Sequence, residues 1–505
     1  MHYNKHSGKI IHYAMALSTK ILAGNTSPTP HIVNSINFHN LLTWLCLSTR
    51  EALTDHSLQS LQTGNNQILF QVDSTLLYEH FFADFGPLNL GQLYRFTKIL
   101  NDKLQEASRS SKELIFVTSS QPHKRTNSIY LLCSWYLIFK ENSVPKSYQP
   151  FFNLSPTPIP FRDAAFSICT YSLSVLEVLK GVSKSLFQKR FDFATFDPDE
   201  YDNMDKIENG DCTWIIPGKL MAFSGPQGQK REISPGMYTL SISEYVPLFK
   251  KYGVTAVVRF NKKIYDRNKL IQGNINHYDM YYEDGGNPTE EIVQKFLQVC
   301  ENEKGAVAVH CKAGLGRTGT NIGNFMIKHY GYSADETIGW CRVCRPGSIV
   351  GPQQNWIAEA EAKLLKEGEI YRKTHGPNLG KSGSSTGVGG RPSSRLNCRS
   401  PSPSPEKDAL ALQNFNSTLS GNIVVTSPIK HRQRPRTSGR IDSPNQVGNS
   451  SGGQSSSEGG VNDERGRGNS ATSNSSPYKQ SFMPVVKKRT VLRSNSHAHR
   501  ITNSK

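Results

Sequence analysis

Ala306-Val307-Ala308-Val309 is unbroken apolar sequence, and after a glycine-rich interruption an amphipathic run extends from Thr320 to Tyr330. Consecutive apolar residues bounded by turn formers predict a strand buried on both faces, and apolar residues at helical spacing predict a helix packed on it. The order repeats earlier in the chain. Glu113-Leu114-Ile115-Phe116-Val117 reads as an apolar strand, Thr118 to Thr126 as a polar loop, and the stretch from about Asn127 to Phe139 as a helix. Two strand–loop–helix units predict a duplicated α/β fold, each copy a central sheet flanked by helices. Between them, Asn276 to Pro288 predicts a strand end running into a loop broken by Gly285, Gly286 and Pro288. The longest apolar run, Ile129 to Phe139, is too short to cross a bilayer.

From residue 372 the periodicity gives way to Ser, Gly, Asn, Pro and Arg, a composition that cannot bury enough apolar area to offset its ordering entropy. The predicted organisation is a divergent N-terminal segment (1–65), a first α/β copy (66–190), an acidic linker (191–211), a second copy (212–371) and a disordered basic tail (372–505). Charge sharpens the last boundary. Residues 372–505 hold 21 Lys+Arg against 6 Asp+Glu, a net of +15 out of +18 for the chain, so the basic character belongs to the tail. Lys430-His431-Arg432-Gln433-Arg434-Pro435-Arg436 and Lys487-Lys488-Arg489 are candidate patches for a nuclear import receptor. No nucleic-acid recognition module accompanies them. Nine cysteines without paired spacing or a secretory leader point to a reducing compartment, and the whole reads as a soluble protein of nucleus and cytoplasm.

The chemistry sits in the interruption between the second strand and its helix, His310-Cys311-Lys312-Ala313-Gly314-Leu315-Gly316-Arg317-Thr318. A cysteine and an arginine six positions apart, with glycines between and a helix after, build the phosphate cradle of a cysteine-dependent phosphatase. Amides of Lys312, Ala313, Gly314, Leu315 and Gly316 converge on phosphate oxygens, and the same partial positive charge favours thiolate over thiol. Arg317 offers a planar fork for two phosphoryl oxygens, and the Thr318 hydroxyl can bond the sulfur. An inert buried cysteine would leave the arginine and the glycines unexplained. Aligning Arg125-Thr126 on Arg317-Thr318 puts Ser119 where Cys311 stands and leaves no glycine. The first copy is therefore expected to bind rather than to catalyse.

The leaving oxygen needs a proton donor. Asp284, at the turn of the Gly285-Gly286 loop, is the candidate, with Asp279 and Glu283 as competitors. Cys344 to Gln354 predicts a third loop, in which Gln353 or Gln354 would orient the hydrolytic water. No metal or cofactor is called for, because amides and Arg317 supply the charge stabilisation. Asp197, Asp199, Glu200, Asp202 and Glu208 in the acidic linker suggest a groove that selects phosphosites with a nearby basic residue.

Four stretches make the chain resemble the Cdc-fourteen dual-specificity phosphatases, which act on mitotic phosphoproteins: Tyr78-Glu79-His80-Phe81-Phe82-Ala83-Asp84-Phe85-Gly86-Pro87-Leu88-Asn89-Leu90, Pro160-Phe161-Arg162-Asp163-Ala164, Glu208-Asn209-Gly210-Asp211 and Val309 through Gly319. The resemblance covers about Gln71 to Ala362. It implies tandem dual-specificity-phosphatase folds with the active site in the second, and places Asp284 on the family's general acid, Cys311 on its nucleophile and Arg317 on its phosphate-binding arginine. It further implies phosphoprotein substrates of proline-directed kinases, a preference for phosphoserine followed by proline with a basic residue a few positions on, and opposition to cyclin-dependent kinases. Nucleolus or spindle pole are addresses used within the family.

Two other readings compete. Lipid phosphatases of the tensin type have a similar loop but a second lysine where this chain has Leu315, leaving fewer cations for a multiply phosphorylated headgroup. A non-catalytic phosphoprotein binder would need a damaged catalytic set, and Cys311, Arg317 and Asp284 are all in place. The tail adds Ser404, Ser427 and Ser476, each followed by proline and, three residues on, by lysine, as candidate regulatory phosphosites that the enzyme itself could reset.

Overall fold

The computed structural model describes residues 31–49, 55, 58, 66–166 and 168–376; the expected tail beyond 376, with Ser404, Ser427, Ser476 and both basic patches, lies outside the described residues.

Strand β1 (Ile32–His39) turns back on β2 (Leu42–Leu47), and β3 (Gln67–Phe70) and β4 (Glu113–Ser119) complete a sheet of order β1-β2-β4-β3. The β1–β2 pair is antiparallel and the others are parallel. The first copy thus starts well before residue 66, which corrects the boundary drawn from sequence. Leu42 to Leu47 are all buried and lie directly beside β4, so the hairpin belongs to the core of the sheet. Helices α1 (Leu90–Arg109) and α2 (Pro122–Phe139) cover the sheet, and α3 (Val175–Phe187) packs on α2. Helix α2 begins at Pro122 rather than near Asn127, because proline at the first helical position has its φ already set and lacks only an N–H that no carbonyl would accept.

The acidic residues 191–211 are not a linker in the sense expected. They fold into α4 (Pro198–Met204) and a 3₁₀ turn, Ile207–Asn209, and pack on both copies. The Asp202 carboxylate pairs with Arg95 of α1, and Tyr201 donates to the Cys344 carbonyl at 2.6 Å.

The second copy repeats the first with one strand more. β5 (Cys212–Ile216), β6 (Leu220–Phe223), β7 (Val254–Arg259), β8 (Asn276–Asp279) and β9 (Ala306–His310) run in the order β8-β7-β9-β6-β5, with only β5–β6 antiparallel. Position for position, β5-β6-β7-β9 matches β1-β2-β3-β4, and β8 has no counterpart. Helices α5 (Ile242–Lys251), α6 (Glu290–Asn302), α7 (Gly316–Tyr330), α8 (Ala334–Cys344) and α9 (Pro352–His375) pack around it. All five residues of β9 are buried, as a central strand covered on both faces requires. Helix α9 runs past the boundary placed at 371, because Arg372 still donates to the Lys328 carbonyl and Tyr371 meets the His329 ring edge-on.

Helices α3 and α8 cross between the copies at two glycines. A Cβ on Gly181 would lie 2.5 Å from the Glu336 carbonyl oxygen, and one on Gly339 would lie 2.9 Å from the Val178 Cα. Lys184 to Glu336 (2.7 Å) and Tyr171 to Asp335 bridge the same seam. Among the described residues no helix is long and apolar enough to cross a membrane.

Candidate active site

Strand β9 ends at His310 and α7 starts at Gly316, so Cys311 to Leu315 form a five-residue loop between a rigid strand and an uncapped helix N-terminus. The carbonyls of that loop are engaged from outside. Cys311 O faces His310 Nδ1 at 3.0 Å, Lys312 O accepts from Gly225 N, Ala313 O and Gly314 O accept from Arg345, and Leu315 O accepts from Gly319 N and Ile349 N. In a planar trans peptide a carbonyl held outward turns the next amide inward. The result is a cradle of N–H groups opening at the start of α7, the arrangement that binds tetrahedral anions. Gly314 makes the turn with φ +68°, and a Cβ there would meet the Phe223 carbonyl oxygen at 2.1 Å.

Arg317, second residue of α7, is 3% exposed and points its fork into this hollow. Its Nη1 is spent on the carbonyls of Tyr282 (2.7 Å) and Phe260 (3.3 Å). Its Nε is buried without a partner, and Nη2 meets Asp284 Oδ1 at 3.1 Å. One edge of the guanidinium is therefore anchored, and the other faces the site with two parallel donors. Asp284 itself stands half exposed on the turn closed by Gly286 N to Glu283 O, with Gly285 at φ +76°. Its two competitors are occupied elsewhere. Burial pushes the Asp279 carboxyl up, but the hydrogen bond and charge of Arg259, 2.7 Å away, outweigh it and hold it below the usual range. Glu283 accepts from Tyr281 in an exposed position. Thr318 is fully buried beside Arg317, its hydroxyl without a hydrogen-bond partner.

Behind the cradle runs a buried chain that the sequence did not announce. His310 Nε2 lies 2.8 Å from the Tyr265 hydroxyl, which lies 2.9 Å from His277 Nε2. Burial pushes His310 down to about 3 and His277 to about 4, so both rings are neutral near pH 7. The proton positions then follow. Cys311 O can only accept, so His310 carries its proton on Nδ1; Tyr265 must donate to His310 Nε2, and His277 must donate to the Tyr265 oxygen. Arg259 fixes the base of this chain by donating to the Tyr265 carbonyl at 3.0 Å.

The third predicted loop closes the site from the other side. Arg345, 3% exposed, donates to Gly314 O and Ala313 O while its Nη1 holds Asp211 Oδ1 at 2.8 Å, which gives the Glu-Asn-Gly-Asp motif its place. Arg342, also buried, grips the carbonyls of Ser348 and Ile349. Between them Ile349 adopts φ +63°, a conformation that on a β-branched residue stores on the order of 1–3 kcal/mol and persists only where neighbours over-determine it. Gln353, second residue of α9, sends Nε2 to Gly286 O (2.9 Å), receives Val350 N on Oε1 (3.1 Å), and lies against Gly316. Gln354 is spent on Arg342 (2.6 Å) and the Gly351 carbonyl. The structure thus brings Gln353, and not Gln354, against the cradle and the Asp284 loop.

The acidic candidates are divided. Asp197 caps α4 through the amides of Asp199 and Glu200, Glu200 lies 3.6 Å from Lys251, and Asp202 is paired with Arg95. These four line an open groove with Lys206 and Lys251, and Asp202 also lines a cavity of about 300 Å³ that reaches Leu315 and Pro346 beside the cradle. Glu208, on the 3₁₀ turn, is not among the residues lining either. Cys341 and Cys344 lie one helical turn apart on α8, both buried, and burial pushes the Cys341 thiol up to about 12.

Residues 39–185 match the family described as "Dual specificity protein phosphatase, N-terminal half", and residues 238–363 match "Dual specificity phosphatase, catalytic domain". Human "Dual specificity protein phosphatase CDC14A" is 46% identical over 308 residues, 61% of this chain and 52% of its own length. Human "Dual specificity protein phosphatase CDC14C" is 39% identical over 62% of this chain and 70% of its own length. The "Tyrosine-protein phosphatase cdc-14" of Caenorhabditis elegans is 39% identical over 57% of this chain and 42% of its own. The chain spans about half the length of human CDC14A and of its mouse counterpart. With the paired sheets, the uncapped loop between β9 and α7 and these matches in hand, the chain belongs to the Cdc14 (Cdc-fourteen) family of dual-specificity phosphatases.

Proposed function

We propose that this protein hydrolyses phosphoserine, phosphothreonine and phosphotyrosine esters of proteins through a phosphocysteine intermediate. The carrying observation is the cradle of Cys311 to Arg317, its carbonyls engaged outward and the Nε–Nη2 edge of Arg317 meeting Asp284. The Cys311 thiolate forms a bond to phosphorus as the phosphorus–oxygen bond of the ester breaks, and Asp284 gives its proton to the departing oxygen. Water oxygen then bonds to phosphorus, its proton passes to the Asp284 carboxylate, and the electron pair of the phosphorus–sulfur bond returns to Cys311. Gln353 orients that water, and the buried Thr318 hydroxyl stabilises the sulfur as it leaves.

Specificity for phosphoserine-proline with a downstream basic residue, and hence opposition to cyclin-dependent kinases, fits the family and the four carboxylates of the groove at Asp197, Asp199, Glu200 and Asp202, which adjoins at Asp202 the cavity reaching Leu315 and Pro346. Asp199 and Glu200, both exposed, and Asp202 are the carboxylates placed to meet a substrate cation. A phosphopeptide panel tests the reading: phosphoserine-proline peptides with and without a lysine three residues on, the same peptides with alanine for proline, and the Cys311→Ser protein as blank. Release of phosphate should be greatest from the proline-and-lysine peptide, and D199K/E200K should slow that peptide several-fold more than the lysine-free one, as exposed charge contacts permit. Phosphate release from no ester would remove the catalytic reading, and uniform slowing would remove the groove.

A further inference from the structure

We infer that Asp163, supplied by the first copy, is a positioning residue for hydrolysis of the phosphocysteine in the second. The inference rests on the proposed role of Gln353. Asp163 lies in the Pro-Phe-Arg-Asp-Ala motif, which no part of the chemistry above accounts for. Its residue is 2% exposed. Oδ2 accepts the Gly351 amide at 2.5 Å across 188 residues of sequence, and its own Ala165 amide at 3.3 Å; Oδ1 is buried with no hydrogen-bond partner.

Gly351 is the residue from which α9 starts, at φ +61°, and it offers no side chain of its own to cap that helix. Asp163 therefore holds the amide at the head of the segment that presents Gln353. Two residues on, Gln353 reaches Gly286 in the Asp284 loop and lies against Gly316 of the cradle. A conformation as unusual as that of Ile349 stays in place only when it is gripped from several sides. Arg342 takes the carbonyls of residues 348 and 349 from within the second copy, and Asp163 takes the amide of residue 351 from the first. The motif loop is itself pinned: Arg162 exchanges both backbone bonds with Phe85 and donates to the Ala83 carbonyl. The neighbouring Phe81 fills the space beside Gly347 that a Cβ would need, at 2.7 Å.

Gln353 serves the second step and not the first, so loss of Asp163 should slow attack of water on phosphorus and leave formation of the phosphorus–sulfur bond nearly intact. In Asp163→Ala, kcat should fall about tenfold to a hundredfold, the scale on which small misplacements act. KM should fall with it, kcat/KM should hold, and p-nitrophenyl phosphate should give a burst of nitrophenol approaching one per enzyme, with phosphocysteine trapped by acid quench. Asp163→Asn, which keeps the volume and a weaker acceptor, should show the same signature to a smaller degree, and it carries the test where the alanine variant does not fold. Combined with Gln353→Ala, Asp163→Ala should add little, since both act through one group. A fall in kcat/KM without a burst, or multiplicative losses in the double variant, overturns the inference. Gln353→Ala without a burst removes the role of Gln353 on which it stands, and a burst in Gln353→Ala but in neither Asp163 variant removes Asp163 alone.

Discussion

Cys311 to Arg317 and Ser119 to Arg125 occupy corresponding places in two sheets of the same topology, and only the first is a cradle. In the second copy five residues separate strand from helix; in the first, only Ser120 and Gln121 do. Pro122 starts α2 early, so Arg125 sits a turn inside the helix, where it donates to Asn34. A carboxylate also takes up donors at the end of the first copy's strand: Asp73 accepts the Ser119 amide at 2.8 Å and the Thr118 hydroxyl at 3.0 Å. The first copy further lacks β8, the strand from which the Asp284 loop hangs. The cradle is thus a product of loop length, glycine and outside donors to its carbonyls, and the sheet alone does not make one.

Replacing the proposed nucleophile separates the two copies most strongly. Cys311→Ser should lower turnover of an aryl phosphate at least about 10⁴-fold, the scale on which enzymes lose a nucleophile. Ser119→Ala should leave kcat unchanged and cost no more than about 1 kcal/mol of stability, because the Asp73 carboxylate keeps the Ser119 amide as donor. A substantial loss in Ser119→Ala would mean that the first copy takes part in the chemistry.

The buried arginines divide next. Arg345→Met leaves Asp211 and two cradle carbonyls unmet, which should cost about 3–5 kcal/mol of stability and, through the loosened loop, upwards of tenfold in kcat. Arg125→Met loses hydrogen bonds to one asparagine, about 1–3 kcal/mol, with kcat/KM unchanged in the protein that remains folded. Paired urea melts and steady-state kinetics check both; equal effects on kcat would erase the distinction between the loops.

What sequence could and could not announce follows the same division. Strand, loop and helix across Ala306 to Tyr330 are local in the chain, so apolar period and glycine spacing suffice to place Cys311 beside Arg317. Asp284 is reachable because its loop carries its own breakers. Arg345 meets Asp211 over 134 residues and Asp163 meets Gly351 over 188, and no local pattern encodes contacts that topology alone creates. The His277–Tyr265–His310 chain is hidden for the same reason. Leu42 to Leu47 fell outside the predicted first copy because a short apolar run reads as strand or helix segment until the sheet beside it is known.

Acid titration offers the subtlest separation, because buried groups in the two copies carry opposite signs. His310 and His277 are pushed down to about 3 and about 4, whereas an unfolded imidazole titrates near ~6.5. Across that window the unfolded chain binds protons that the native one refuses, so the contribution of each histidine is intact above ~6.5 and falls with pH, by up to ~1.4 kcal/mol per unit. Burial raises the Asp73 carboxyl, despite the bonds from Ser119 and Thr118. The native chain therefore keeps a proton there that the unfolded one releases above ~3.9, and this contribution weakens as pH rises. Between about pH 4 and ~6.5 the two contributions oppose each other, superposed on those of the remaining titrating groups such as His329 and His123. Asp73→Asn removes the opposing arm and should steepen the rise of stability with pH, while His310→Asn, which keeps a donor for the Cys311 carbonyl, should flatten it. Urea midpoints at four pH values would show the slopes moving apart, and parallel curves for all three proteins would mean that neither buried group carries the linkage assigned to it.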